Sequence, residues 1–277
     1  MANDFASPEN FLNRELSWLE FNRRVLEEAQ DATQPLIERV KFLSIFSSNL
    51  DEFFEIRVAG IKQQIESGSG DTGPDEIAPP ELFVRIQKNV HTLVDAQYAL
   101  WRDELLPALR AENIHVHDMT GLSETQALWA RNYFRDELFP VLTPLAVDAS
   151  HPFPQVLNKS HNLIVRARKP GTEEPVHAIV QVPRVVPHLI VLPREKDDQD
   201  RWDYLSLASL VMCHLGELFP GFKIESLHEF RVTRNSDLYI DEEEADNLLR
   251  TIEQELRRTN RGRAVRLEVK HLSLIHI

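Results

Sequence analysis

Asn49 lies in FSSNLDEFFEIRVAG, Phe46 to Gly60, where Ser, Ser, Asn, Asp and Glu interrupt what otherwise reads as one apolar-periodic helix. An asparagine amide offers a donor and an acceptor side by side, the pair that a purine edge requires. The same residue has a second, purely structural reading. Asn49 and Glu52 stand at capping-box spacing, which predicts a helix that breaks near Ser47 and restarts with Asn49 as its cap. On the residues alone both readings stand open, with the cap favoured.

Other residues carry weaker chemical signals. His115 and His117 alternate along a possible strand and would share one face, as a two-histidine metal clip requires. A zinc site needs a third and usually a fourth ligand, and no sequence neighbour supplies one, so surface histidines are the simpler account and no metal ligand is assigned. Gly68, Gly70 and Gly73 spell GSGDTG, a formal match to a dinucleotide-binding loop. Such a loop must follow a strand and open a helix, and here a helix precedes it and Pro74 follows. The sequence contains no G-x-x-x-x-G-K-[ST], H-x-K, C-x-x-C or G-x-S-x-G, so a P-loop and the common nucleophile motifs are excluded.

A formal charge of -13 over 277 residues argues against a general nucleic-acid binder, because neutralising phosphates needs a basic face. The best local basic stretch is RRTNRGRAVR, with Arg257, Arg258, Arg261, Arg263 and Arg266. Its simpler reading is a helix end followed by a turn at Gly262 into a strand. Hydrophobic residues make up 42% and charged residues 27%, the balance of a folded globular chain of one or two domains. The N-terminus MANDFASPENFLN has no basic, apolar leader, and no stretch reaches the roughly 20 apolar residues that cross a bilayer, so a cytoplasmic protein without a transmembrane segment is expected. The single Cys213 excludes an internal disulfide and is expected as a buried thiol in LASLVMCHLGELF.

The fold class expected is α+β, a helical N-terminal domain over residues 1–113 followed by a mixed α+β head domain over 114–271. The first helix carries Leu16, Leu19, Val25, Leu26 and Ala29. Pro35 opens the second, whose stripe runs Leu36, Val40, Leu43, Phe46, Leu50, Phe53, Ile61 and Ile65 in steps of mostly three and four. A third helix is expected from about Pro80 to Arg110, across a loop rich in Gly, Ser, Asp and Pro, and the three can pack as a bundle. In the head, a helix starts at a capping box of Ser123 and Gln126. The proline-rich SHPFPQVLN then leads into strands at 163–168, 177–182, 188–192, 229–234 and 264–269, with helices over about 205–219 and 242–258.

Five stretches give a more specific indication. ELSWLEFNRRVLEEA, PLIERVKFLSIFSSNLDEFFEIRVAGIKQQI, LTPLAVDASHPFPQVLNKSHNLIV, FRVTRNSDLYIDEEEADNLLRTIEQELRR and AVRLEV, in this order from about residue 11 to 270, resemble bacterial polyphosphate kinase of the long, four-domain kind. The resemblance implies a helical N-terminal domain, a head domain that supports homo-oligomerisation, and two further domains related to phospholipase D. It implies reversible transfer of the terminal phosphoryl group of ATP to polyphosphate, with Mg2+ and a phosphohistidine intermediate. ATP, ADP and inorganic polyphosphate are the implied partners, and nucleic acid is not. The N-L-D-E-F motif of that family helps to bind ATP near its base, and here it is Asn49-Leu50-Asp51-Glu52-Phe53, so the resemblance turns the balance toward Asn49 as a nucleotide contact.

The phosphorylated histidine, the phosphate-holding arginines and the metal contacts of the family belong to its C-terminal half. None of the eleven histidines here matches the catalytic position, so no catalytic residue is nominated and the chain alone is expected to be inactive. The alternatives are a non-catalytic dimerisation or regulatory module, and a polyanion-binding module using Arg231, Arg234 and the run from Arg257 to Arg266. The last six residues, LSLIHI at 272–277, match the translation of CTGTCTCTTATACACATC, a transposase adaptor, and are expected to be an adaptor-derived artefact.

Overall fold

The computed structural model describes residues 7–68, 70, 72–147, 153–194, 200–236, 262–269 and 272–275, with the side chains of the last four left aside. The chain divides into two compact units. The architecture is α+β, a helical bundle followed by a mixed head.

The first unit holds residues up to Leu105 together with 233–236, 262–267 and 273–275. Helix α1, Arg14–Gln30, is started by Asn13, whose side chain accepts from the amides of Glu15 and Leu16. Its buried stripe is Leu19, Asn22, Leu26 and Ala29, so a polar residue stands where the period calls for an apolar one. Helix α2, Leu36–Glu52, begins after Pro35, which occupies the cap position itself. It runs without interruption through Ser47 and Asn49, so the expected break and restart does not occur. The irregularity lies later, as a π-helical turn over Phe53–Val58 that leads into α3, Ala59–Ser67. Gly68 ends α3 at φ +67°, a conformation that suits glycine, so GSGDTG begins as a helix terminator. Helix α4, Pro79–Leu100, opens with two prolines at positions where their missing N–H groups are not needed. A second π-helical turn, Trp101–Leu105, follows it. Phe46, Leu50, Phe53, Phe54, Ile86 and Val90 fill the core between these helices.

The second unit holds 106–232 and 268–272. It starts with α5, Leu106–Ala111, and β1, Ile114–His117. Helix α6, Glu124–Tyr133, has the expected capping box. Gln126 N donates to Ser123 Oγ and Ser123 N donates to Gln126 Oε1, both at 3.2 Å. Strands β2 Leu145–Val147, β3 His161–Arg168, β4 Val176–Gln181, β5 Leu189–Val191 and β6 Trp202–Ser206 follow. After them come α7 Leu207–His214, β7 Lys223–Arg234, β8 Ala264–Val269 and β9 Leu272–Ile275. One sheet has the order β1-β6-β5, with β1 and β6 parallel, and the other the order β2-β4-β3-β7-β8-β9. Leu163, Val165 and Val180 of the larger sheet, with Val182 just past β4, pack with Phe134, Leu138 and Leu210 in a second core.

Three expectations need correction or fall elsewhere. Cys213 is exposed, not buried. The face of α7 that packs inward is Leu207, Ala208, Leu210 and Val211, and at about 100° per residue Cys213 comes round to the opposite side. The strands β1, β2, β6 and β9 add to the five strands expected. The helix expected at 242–258, with Arg257, Arg258 and Arg261, lies outside the described residues.

Candidate functional site

The first candidate site is built on α1 and α2, which pack side by side. Asn22 is fully buried between them. Its Nδ2 donates to the carbonyl of Phe46 at 3.2 Å, and its Oδ1 accepts from Nδ2 of Asn49 at 3.0 Å. This fixes which way the Asn49 amide points. The N–H end of Asn22 is committed to a backbone oxygen, so only its carbonyl end is left to face Asn49, and Asn49 must answer with its own N–H. The second N–H and the carbonyl oxygen of Asn49 lie outside this pair, on a half-buried residue.

Asp51 takes the other flank of Leu50, since residues two apart on a helix differ by about 200°. Its Oδ1 accepts from Nη1 of Arg266 at 3.4 Å, and the Arg266 guanidinium stands 5.0 Å over the ring of Phe54. Arg266 is 3% exposed, so charge pairing and the aromatic face replace its water. The π-helical turn begins two residues after Asp51. Phe53, at its start, stacks on Trp18 of α1 with ring centroids 4.6 Å apart and an interplanar angle of 11°. Glu55 within the turn accepts at its backbone carbonyl from Ser236 N at 3.2 Å. The polar knot seen in sequence thus separates into three functions. Asn49 bonds to α1, Asp51 bonds to β8, and Glu55 carries a backbone contact to the end of β7.

The arginines proposed for polyanions have protein partners. Arg231 donates Nε to Glu268 at 2.7 Å, and Arg234 donates Nη1 to the carbonyl of Gly262 at 2.9 Å. Burial lowers the pKa of Arg234 from its usual value. Arg263 pairs with Glu66, and Arg266 is buried as described, so these four do not form one exposed basic strip.

A second cluster forms in the other unit. His115 and His117 share one face of β1, and Asp203 on β6 stands opposite His115 in parallel register. His117 Nε2 and Asp203 Oδ1 are 2.5 Å apart. Burial pushes the Asp203 carboxyl up, but hydrogen bonds from His117 and Arg201 outweigh it and leave the pKa below its ordinary value. His115 is lowered, first by burial and then by the nearby Arg201.

Sequence reasoning did not find Asn22 or Asp203. Asn22 had a signal, because it falls on the period Leu19, Asn22, Leu26, Ala29, and a polar residue on a buried stripe needs a partner. Asp203 had none, since parallel strand pairing alone brings it to His117 across 86 residues.

Comparison with known proteins places these residues in two matched regions. Residues 11–117 match the model of the polyphosphate kinase N-terminal domain, and residues 125–273 that of the polyphosphate kinase middle domain. The chain is 44% identical over 272 residues to the polyphosphate kinase of Synechocystis sp., covering 96% of this chain and 37% of that protein. It is 43% identical over 268 residues to the polyphosphate kinase of Paraburkholderia phytofirmans, with 96% and 39% covered. The crystal structure of polyphosphate kinase from Porphyromonas gingivalis is similar at a TM-score of 0.73 and 29% identity, covering 90% of this chain and 38% of that one. The chain therefore spans less than two fifths of the relatives it matches.

Proposed function

The chain belongs to the polyphosphate kinase family, and we propose that it is the part of such an enzyme that holds the base end of ATP. The whole enzyme would then move the terminal phosphoryl group of ATP reversibly to polyphosphate, through a phosphohistidine outside these 277 residues. The observation that carries this reading is the Asn22–Asn49 bond at 3.0 Å. It sets one N–H and the carbonyl oxygen of the Asn49 amide in a fixed orientation. That donor–acceptor pair matches the N6 and N7 positions of adenine, the same pairing that asparagine makes with adenine in DNA.

The role assigned to this chain is positioning. Asn49 orients the base, Asn22 holds Asn49, and Trp18 stacked on Phe53 stiffens the turn that follows. Mg2+ takes oxygen ligands. Asp51 is engaged by Arg266, and the one group of three metal-ligating side chains among the described residues contains two histidines. The residues described here do not fit Mg2+, which belongs in this reading with the phosphate-handling part of the enzyme.

We infer in addition that the head associates with a second copy of the chain. Leu189 and Val191 of β5 and Trp202 of β6 are exposed on one face of the smaller sheet, which supports an apolar contact there. No helix among the described residues is long and apolar enough to cross a membrane, and a cytoplasmic location is part of the proposal.

The test is titration of the purified chain with ATP by calorimetry. A hydrogen-bonded amide contributes about 0.5 to 1.5 kcal/mol, so Asn49→Ala is expected to weaken ATP binding by roughly two- to tenfold. Equal affinity in the parent and the variant would remove Asn49 from the nucleotide site.

A further inference from the structure

We propose that His115, His117 and Asp203 form a binding site for a divalent transition-metal ion, with Zn2+ preferred. The three side chains come from two neighbouring strands and one sheet face. His115 and His117 are alternate residues of β1 and project to the same side. β6 runs parallel to β1, pairing His115 with Asp203 and His117 with Leu205. One donor atom from each of the three lies within 4.8 Å of the others. The two imidazole rings are nearly parallel, with an interplanar angle of 9° and centroids 5.9 Å apart.

A tetrahedral Zn2+ holds nitrogen and oxygen ligands at about 2.0 to 2.2 Å, which sets the donors roughly 3.3 Å from one another. Reaching that geometry requires the His117–Asp203 contact of 2.5 Å to open and the wider separations to close. Both are side-chain rotations, because the strand register already fixes the three backbones. On binding, the Nε2 proton of His117 moves to Nδ1 of the same ring by a change of tautomer or is released to water, the single hydrogen bond between His117 and Asp203 is exchanged for two coordinate bonds, and His115 adds a third. The remaining position is left to water or another ligand. Two imidazoles and a carboxylate suit Zn2+, Ni2+ or Cu2+, and do not suit Mg2+ or Ca2+, which take oxygen ligands.

The surroundings support the ligands. Arg201 Nε and Nη2 both lie 2.9 Å from Oδ1 of Asp203. A carboxylate that binds a metal commonly keeps such an outer hydrogen bond, which holds it in place. Arg201 is also the main electrostatic opponent of a cation here. Its side chain is one-third exposed, so it can retreat toward water or move to the other carboxylate oxygen. Gly121 lies against the far side of His117, and a Cβ at that position would stand 3.0 Å from Nδ1 of the ring. Any larger residue would press on the imidazole.

The test uses the purified chain, stripped with a chelator and titrated with Zn2+, with Mg2+ as the control. His115→Ala is the informative variant, because it deletes a ligand and leaves the His117–Asp203 hydrogen bond and its fold contacts in place. The parent is expected to bind one equivalent of Zn2+, to show the visible absorption of low-coordinate Co2+ when that ion replaces Zn2+, and to rise in Tm with added Zn2+. His115→Ala is expected to weaken Zn2+ by at least about tenfold and to lose the Co2+ absorption. Absence of stoichiometric binding in the parent would leave His117, Asp203 and Arg201 as a structural ion cluster and overturn the site. Binding that survives unchanged in His115→Ala would assign the metal to other histidines and overturn it equally.

Discussion

Asn49 donates its side-chain amide to Oδ1 of Asn22 across the contact of α1 with α2, and Asn22 in turn donates to the backbone of Phe46 one turn earlier. The bond to Phe46 makes Asn22 a positioning residue, since it determines which end of its amide is presented to Asn49. Asn22→Ala is expected to cost about 1 to 3 kcal/mol of stability, because the carbonyl of Phe46 and the amide of Asn49 each lose a partner away from water. Urea unfolding measures that cost. ATP titration separates the two roles: affinity that falls alongside Asn49→Ala supports positioning, and affinity that is unchanged reduces Asn22 to a packing residue.

The Asp51–Arg266 pair gives a second prediction. Removing one member takes an ion-pair partner away from a charge held inside the protein, so Arg266→Met and Asp51→Asn are each expected to destabilise by roughly 3 to 5 kcal/mol. Asp51→Asn combined with Arg266→Met removes both charges and should regain most of that loss. If the double variant is as unstable as the sum of the single ones, the pair is not interacting as the 3.4 Å separation indicates.

Glu217 predicts part of the acid limb of stability. Burial pushes its carboxyl up, but hydrogen bonds from Arg135 and His214 outweigh this and hold its pKa below the ordinary 4.5. A group depressed on folding contributes stability that is fully present above its unfolded value and is lost as pH falls through its folded one. Tm measured from neutral pH downward should therefore decline below about pH 4.5 less steeply in Glu217→Gln than in the parent. Parallel curves would show that the contact with Arg135 contributes nothing in solution.

Catalysis gives a fourth. The 277-residue chain with ATP and Mg2+ is expected to acquire no phosphoryl label and to lengthen no polyphosphate, since phosphoryl transfer needs a placed nucleophile and cations around the moving group. Either activity would locate the nucleophile among the eleven histidines present.

Much of this was legible before the structure. The stripe from Leu36 to Phe53 marked the face of α2, and Ser123 with Gln126 marked the start of α6, because both signals are local and periodic. The limits of β3 and β4 emerged within two residues for the same reason. The residues that escaped notice were those whose meaning depends on a distant partner. Asn49 read locally as a cap, and only the continuity of α2 and the neighbouring Asn22 remove that reading. Arg266 read as one cation in a surface run, yet Asp51 and Phe54 enclose it. WDYLS, which forms β6, is short and half polar, and pairing with β1 and β5 makes it a strand.

The π-helical turn at Phe53–Val58 also explains why two helices share one seam. A turn of that kind holds one residue more than an α-helical turn, so it takes up the roughly 100° by which an extra residue would rotate everything after it in an uninterrupted α-helix. The apolar steps on either side would otherwise drift apart, since Phe53 to Val58 is a step of five. With the surplus residue absorbed there, Val58, Ala59 and Ile61 all turn inward. A chain shortened by one residue between Phe53 and Val58 would close this turn into regular α-helix with Ile61 still facing the core, whereas the intact segment forced into regular α-helix would swing Ile61 by about 100° toward water.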